Sequence, residues 1–308
     1  MFDNRKDLLG LKGVTKSEII SILDQASSIK HRMNKGSKEQ GAFSGRKIVT
    51  LFYESSTRTR LSFELAAKNL GIQTFHIFAQ TSSVEKGESI QDTVKTIADM
   101  NVDAIIMRHP FSGAPHIAAK VSKASIINAG DGANEHPTQA LLDLFTIQET
   151  FGAFLGLRVA IVGDILHSRV ARSNIWGLTT LGAEVSIIGP PTIIPKGLTE
   201  IGVKHGYDVK EAVKDVDVLI ALRVQKERQA KGLIPSNKEY NDQFGIKEAM
   251  KTFQGKGPMI MHPGPVNRGV EIDSDIIDSD RSLISQQVFN GLVVRMAVLK
   301  SLMRGNDR

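Results

Sequence analysis

Ser55, Ser56, Thr57, Arg58, Thr59 and Arg60 place four hydroxyls and two guanidinium groups in six consecutive residues. These types suit an anion: hydroxyls donate single hydrogen bonds, and arginine offers a planar fork that matches two phosphate oxygens. Position strengthens the reading. Residues 47–51, KIVTL, are apolar and β-branched and predict a buried strand. Leu61, Leu65, Ala66 and Leu70 then recur at helical spacing, and Gly71 supplies a stop. The cluster therefore sits where a strand becomes a helix. A helix start presents unpaired N–H groups and a partial positive charge. The competing reading is a plain Ser/Thr N-cap followed by solvated arginines. The crowding of hydroxyls and arginines weighs against it.

Polar groups also follow the other predicted strands. Ser82 and Lys86 come after the strand at 74–78, and Arg108 comes directly after 103–107. His136 and Gln139 follow the strand at 125–128 through a Gly/Asn/Asp loop, with Pro137 suited to a first helical position. Further on, Arg169 follows 158–162, Arg223 and Gln225 follow 217–222, and Pro263 and Gly264 follow 259–261. Ligands of open parallel sheets bind beyond the carboxyl ends of strands, so these residues form one candidate set. A single anion needs one or two cations. Arg58, Lys86, Arg108, Arg169 and Arg223 are more than that and imply several anionic groups. No GxGxxG follows a strand, and GxxxxGK[ST] and HExxH are absent. No carboxylate cluster has metal spacing, so neither a metal nor a cofactor is expected.

The elements that must carry these residues alternate. Helices are predicted at 16–33, 61–70, 88–100, 114–121, 137–150, 168–182 and 285–303. The first opens on a Thr15/Glu18 capping box and carries a stripe of Ile19, Leu23, Ala26 and Ile29. The last carries Val288, Leu292, Met296 and Leu299 on one face, expected to be core. Additional strands are predicted at 184–188 and 207–209, and the polar stretch 229–243 is expected to be a loop. Strand–helix alternation predicts parallel sheets with helices on both faces. The pattern restarts at 151–157. The expected fold class is α/β, with two doubly wound parallel-sheet domains, at 1–150 and 151–284.

Composition narrows the function classes. The 308 residues are 41% hydrophobic and 23% charged, as in a globular protein with room for two domains. No apolar run approaches the roughly 20 residues of a membrane span, and the N-terminus lacks a signal peptide's apolar region. With no cysteine, a cytoplasmic address is expected. The net charge of +6 is dispersed and aromatics are 6%, with no basic run that interleaves them. Small anionic substrates account for this better than nucleic acid does.

Ser56-Thr57-Arg58-Thr59-Arg60, His136-Pro137-Thr138-Gln139 and His262-Pro263-Gly264-Pro265, taken together along the whole chain, resemble the aspartate/ornithine carbamoyltransferase family. Arg223-Val224-Gln225-Lys226-Glu227-Arg228 is similar to the corresponding segment of its aspartate-specific members. Ornithine-specific members carry a cysteine in a His-Cys-Leu-Pro segment, where this chain has Gly264 after Pro263. The resemblance implies carbamoyl transfer from carbamoyl phosphate to L-aspartate, in pyrimidine synthesis. It implies a carbamoyl-phosphate domain to which the C-terminal helix, 285–308, returns, then an aspartate domain, the two closing to exclude water. Ser56, Thr57, Arg58 and Thr59 would hold the phosphate. Thr59, Arg108 and His136 would face the carbamoyl oxygen, and Gln139 and the Pro263 and Gly264 carbonyls the carbamoyl NH2. Arg169, Arg223 and Gln225 would bind the aspartate carboxylates. Arg58, Thr59, Lys86, Arg108 and His136 are the implied catalytic set. Ser82 and Lys86 would enter a neighbouring subunit's site, which implies a homotrimer. Glu85 stands before Lys86 where some relatives carry a second basic residue. Regulatory chains or a dihydroorotase partner stay open.

Alternatives from other classes are a catalytically dead scaffold paralogue, which should lack some motif residues, and a phosphate- or nucleic-acid-binding protein. Within the enzyme class the alternative is transfer to another amine such as ornithine. His31, His76, His116 and His205 have no partners at suggestive spacing and read as structural or solvated. His262 reads as a residue that shapes the His-Pro-Gly-Pro turn. Arg228 reads as structural.

Overall fold

The computed structural model describes every residue except 1, 3–4, 37–40, 42, 79–86, 196, 199–201, 225–235, 248–256 and 306–308. Ser82, Lys86 and Gln225, together with Lys226, Glu227 and Arg228, lie outside the described residues. The chain divides into two units, one of Met1–Phe145 with Phe289–Arg308 and one of Thr146–Val288.

In the first unit the elements run α1 (Lys16–Asn34), β1 (Lys47–Phe52), α2 (Thr57–Leu70), β2 (Gln73–Phe78), α3 (Ile90–Asp99), β3 (Ala104–His109), α4 (Ala114–Val121), β4 (Ser125–Asp131) and α5 (Pro137–Phe151). Residues 146–151 of α5 count with the second unit. The Thr15/Glu18 capping box forms, and Ile19, Leu23, Ala26 and Ile29 are buried. The strands order β2-β1-β3-β4, all parallel. β1, β3 and β4 are almost wholly buried because helices cover both faces of a parallel sheet. Val49, Leu51, Val94, Ile97, Ile105, Met107, Ala118 and Ile126 form one core layer. The chain passes from β1 to β2 on one side and then crosses to β3 on the other. A crevice therefore opens between the carboxyl ends of β1 and β3.

The second unit repeats this logic with β5 (Arg158–Val162), α6 (Arg169–Leu181), β6 (Glu184–Ile188), β7 (Lys204–Gly206), α7 (Val209–Ala212), β8 (Val218–Ala221), α8 (Asn237–Phe244), β9 (Met259–Met261) and α9 (Ser274–Ile277). Its order is β7-β6-β5-β8-β9, again all parallel. Here the direction reverses between β5 and β8. The last helix, α10 (Ile284–Gly305), starts in the second unit and continues in the first from Phe289. Among the described residues no helix is long and apolar enough to cross a membrane.

Four local expectations need correction. The strand expected at 207–209 forms at Lys204–Gly206. Asp208 instead caps α7, its carboxylate accepting from the Lys210 and Glu211 N–H groups, so Val209 is helical. The polar stretch expected to be a loop holds α8, with Ser236 as its N-cap and Tyr240 and Phe244 buried one turn apart. On α2 the buried face is Phe63, Ala66, Ala67 and Leu70, whereas Leu61 and Leu65 are 50% and 42% exposed. A stripe at i, i+3, i+4 and i+7 wins the core, and the two leucines belong to the neighbouring stripe. Val288, expected on the core face of α10, is 70% exposed, while Met296 and Leu299 are buried.

Candidate active site

The first unit's site is assembled at its switch point. Phe52 of β1 is in register with Arg108 of β3, and the Tyr53 N–H donates to the Arg108 carbonyl at 2.9 Å. The α2 start and the Arg108 side chain thus leave neighbouring strand ends. Ser56 is the N-cap of α2, but its hydroxyl makes no capping hydrogen bond, and the first turn carries no acidic residue. The helix start keeps donors and positive potential for a ligand instead of spending them on itself. This tells against the plain N-cap reading. Thr57 and Arg58 are exposed, Ser56 is half-buried and Thr59 is buried. Arg60 lies with its guanidinium 4.9 Å from the Phe78 ring centre, a cation–π contact.

Arg108 is held from two sides. Its Nη2 donates to Glu54 Oε1 at 3.1 Å and its Nη1 to the Ala129 carbonyl at 3.2 Å. His136 is buried just before α5, and its carbonyl accepts from the Gln139 N–H at 3.0 Å. The loop that leads to it is built around Asp131, which is fully buried. The Asp131 carboxylate accepts from Asn128 Nδ2 at 2.7 Å, from the Gly113 N–H at 2.7 Å, from Asn134 Nδ2 at 3.0 Å and from the Glu135 N–H at 3.1 Å. Glu135 in turn accepts from the Leu11 N–H at 2.7 Å and the Lys12 N–H at 3.1 Å. A side chain at Gly10 would collide with that carboxylate.

Gln139 Nε2 donates to the buried Asp143 at 3.0 Å. An ionised carboxylate only accepts, so the amide nitrogen must face Asp143 and the Gln139 oxygen is left for a ligand. Asp143 also acts on Arg295, a wholly buried arginine of α10. Burial draws the Arg295 guanidinium down to about 10, and the nearby Asp143 charge opposes the shift. Arg295 Nη1 donates to Ser62 Oγ of α2 at 3.0 Å. One arginine thus bears on both site-carrying helices. His109, packed 4.5 Å from the Tyr53 ring, accepts the Phe111 N–H on Nδ1 at 3.0 Å, and burial lowers its pKa. It is held neutral and serves the loop.

In the second unit Arg169 is buried as the first residue of α6, behind the N-cap Ser168, whose hydroxyl accepts the Ala171 N–H at 3.1 Å. Arg223 follows β8, the strand paired with β5. Both arginines therefore stand at carboxyl ends flanking that unit's switch point. Gly163 permits the approach: its φ is +130°, and an added Cβ would meet the Tyr240 hydroxyl at 2.9 Å. Asp164 is buried and accepts from His167 Nδ1 at 2.9 Å. After β9, His262 Nδ1 accepts the Gly264 N–H at 2.8 Å, which fixes the turn as expected for a shaping residue. Gly264 has φ +66°, a conformation that favours glycine.

Sequence reasoning did not find Glu54, Asp131, Glu135 or Asp143. Asp131 had a readable signal, an Asx-type turn in Asp-Gly-x-Asn. The others act across the fold and carry no local signature.

Two family descriptions match the chain. "Aspartate/ornithine carbamoyltransferase, carbamoyl-P binding domain" covers residues 6–149, and "Aspartate/ornithine carbamoyltransferase, Asp/Orn binding domain" covers 155–302. The chain belongs to the aspartate/ornithine carbamoyltransferase family. Among individual members, it is 56% identical over 299 residues to the aspartate carbamoyltransferase catalytic subunit of Acetivibrio thermocellus, with 97% of this chain and 96% of that one covered. The solved catalytic subunit of M. jannaschii aspartate transcarbamoylase superposes with a TM-score of 0.85 at 38% identity, over 98% of this chain and 99% of that one. Aspartate transcarbamoylase from Trypanosoma cruzi, solved in complex with carbamoyl phosphate and aspartate, gives 0.86 at 29% identity, over 96% of each chain. In this carbamoyltransferase both switch-point crevices carry arginines, and the first adds the uncapped, hydroxyl-rich helix start.

Proposed function

We propose that this chain transfers the carbamoyl group of carbamoyl phosphate to the amine of L-aspartate, giving N-carbamoyl-L-aspartate and phosphate, an early step of pyrimidine synthesis. The observation that carries the reading is the register of Phe52 with Arg108, which sets the α2 start beside an arginine at the crevice of the first sheet. Ser56, Thr57, Arg58 and Thr59 hold the phosphate. Arg108, His136 and Thr59 face the carbamoyl oxygen, and Gln139 with the Pro263 and Gly264 carbonyls receives the carbamoyl NH2. Residues 1–150 with 285–308 bind carbamoyl phosphate, and 151–284 bind aspartate.

The amine nitrogen attacks the carbamoyl carbon, and negative charge builds on the carbamoyl oxygen. Donors already fixed in place stabilise that charge without reorganising. The tetrahedral intermediate collapses by breaking the bond to the phosphate oxygen, and the departing phosphate takes the amine proton. Positioning supplies most of the rest. Arg169, Arg223 and Gln225 bind the two aspartate carboxylates. Ornithine would bring a cationic side chain toward these arginines, so aspartate is the favoured acceptor.

The reading extends to a homotrimer in which Ser82 and Lys86 complete a neighbour's site, with Lys86 serving both ligands. Supporting it, β2 is an edge strand with Phe75 and Phe78 exposed, and α2 exposes Leu61 and Leu65. Edge strands with apolar side chains are usually covered in the assembled protein. A cysteine-free chain fits a cytoplasmic enzyme. The test is carbamoyl transfer measured in parallel with aspartate and ornithine. Saturable product with aspartate alone supports the proposal, and transfer to ornithine alone sinks it.

A further inference from the structure

Glu271 is a carboxylate with 1% exposure that takes no part in the chemistry above, yet it touches the segments that carry Arg223 and Gly264, two of the three substrate-binding segments of the second unit. Its Oε1 accepts the Val224 N–H at 2.8 Å, one residue beyond Arg223. The same oxygen accepts from Asn267 Nδ2 at 2.6 Å, and Oε2 accepts the Asn267 N–H at 2.8 Å, three residues beyond Gly264. The base of the side chain is fixed as well. The Glu271 carbonyl accepts the Ile246 N–H at 2.9 Å, where Ile246 and Ile272 form a bridge.

We propose that Glu271 is a positioning residue that sets Arg223 for the acceptor and the Pro263–Gly264 carbonyls for the carbamoyl group as one rigid piece. The inference rests on the roles given to those residues under the proposed function. A buried carboxylate is costly unless its oxygens are satisfied, and this one is satisfied by donors from two segments of the chain. Only an acceptor-only group can take all three N–H bonds at once. An apolar replacement could fill the volume and restore stability. It could not hold the backbone after β8 in register with the turn after β9. Arg223 leaves the backbone directly beside the Val224 N–H that Glu271 holds, so a shift there displaces the root of its side chain.

Glu271→Gln turns one amide N–H toward backbone N–H groups and should break the clamp at near-constant volume. The test uses the full chain. KM for aspartate and kcat are measured, together with inhibition by inorganic phosphate, whose site is the first unit's helix start. The expected result is a rise in aspartate KM of about tenfold or more, with unchanged phosphate inhibition and partial recovery in Glu271→Asp. An aspartate KM within twofold of wild type in a folded Glu271→Gln overturns the proposal, as does parallel weakening of phosphate inhibition. If Glu271→Gln does not fold, Glu271→Asp keeps an acceptor-only carboxylate but shortens its reach to the Val224 and Asn267 N–H groups. A raised aspartate KM in that variant supports the clamp, and an unchanged one overturns it. Wild-type chain that transfers nothing to aspartate overturns the functional reading and, with it, this inference. Active wild type with indifferent variants removes only Glu271.

Discussion

Arg108 donates to Glu54 across 3.1 Å, linking the end of β3 to the residue that follows Tyr53 at the end of β1. Both side chains are largely shielded, with 11% and 26% exposure, so the contact is screened less than a surface ion pair. Glu54 and the Ala129 carbonyl hold the guanidinium in one orientation before any substrate arrives. A donor fixed in this way can act on developing charge without reorganising.

Arg108→Ala should lower kcat by about 10²–10³, the usual cost of losing one oxyanion donor. Folding should be affected far less. Steady-state kinetics and a melting curve on the same preparation check this. Near-normal kcat in a folded variant would take Arg108 out of the chemistry.

Arg223→Lys should raise KM for aspartate steeply and leave carbamoyl phosphate nearly unchanged. A guanidinium pairs with a carboxylate through two parallel bonds that an ammonium cannot reproduce. Separate titration of each substrate reads the outcome. Equal weakening of both would move Arg223 out of the acceptor site.

Asp143→Asn should destabilise the protein, because it removes a buried negative charge near the buried Arg295 guanidinium. Denaturant unfolding measures the loss. The variant's amide can also present a donor to Gln139, so the Gln139 side chain can turn and carbamoyl phosphate KM should rise. Unchanged stability would mean that Arg295 is balanced by other groups.

Lys86→Ala and Arg58→Ala chains, each inactive alone, should regain activity when their subunits exchange. In a random 1:1 mixture roughly a quarter of cyclic head-to-tail interfaces join an intact Arg58 to a neighbour's intact Lys86. Activity of the mixture, alongside a measured exchange of labelled subunits, decides the matter. Exchange without recovery would place both residues in one chain's own site.

The sequence by itself determined the features written in a few neighbouring residues. The Thr15/Glu18 box, the strand before Tyr53 and the hydroxyls of the α2 start are local, because caps and periodicity act over one or two turns. The motifs that resemble the carbamoyltransferase family are equally local, and they carried the function. Local pattern also misled where two local signals competed. On α2 two apolar stripes were available and packing chose Phe63 over Leu61. After β7 an Asp208 cap outcompeted strand propensity. Strand order was decided only by the tertiary structure. The orders β2-β1-β3-β4 and β7-β6-β5-β8-β9 put the reversals, and so the crevices, between β1 and β3 and between β5 and β8. The contacts of Glu54 with Arg108 and of Glu271 with Val224 join residues 54 and 47 positions apart. Periodicity cannot encode such pairs, because they exist only once parallel pairing has brought distant strand ends side by side.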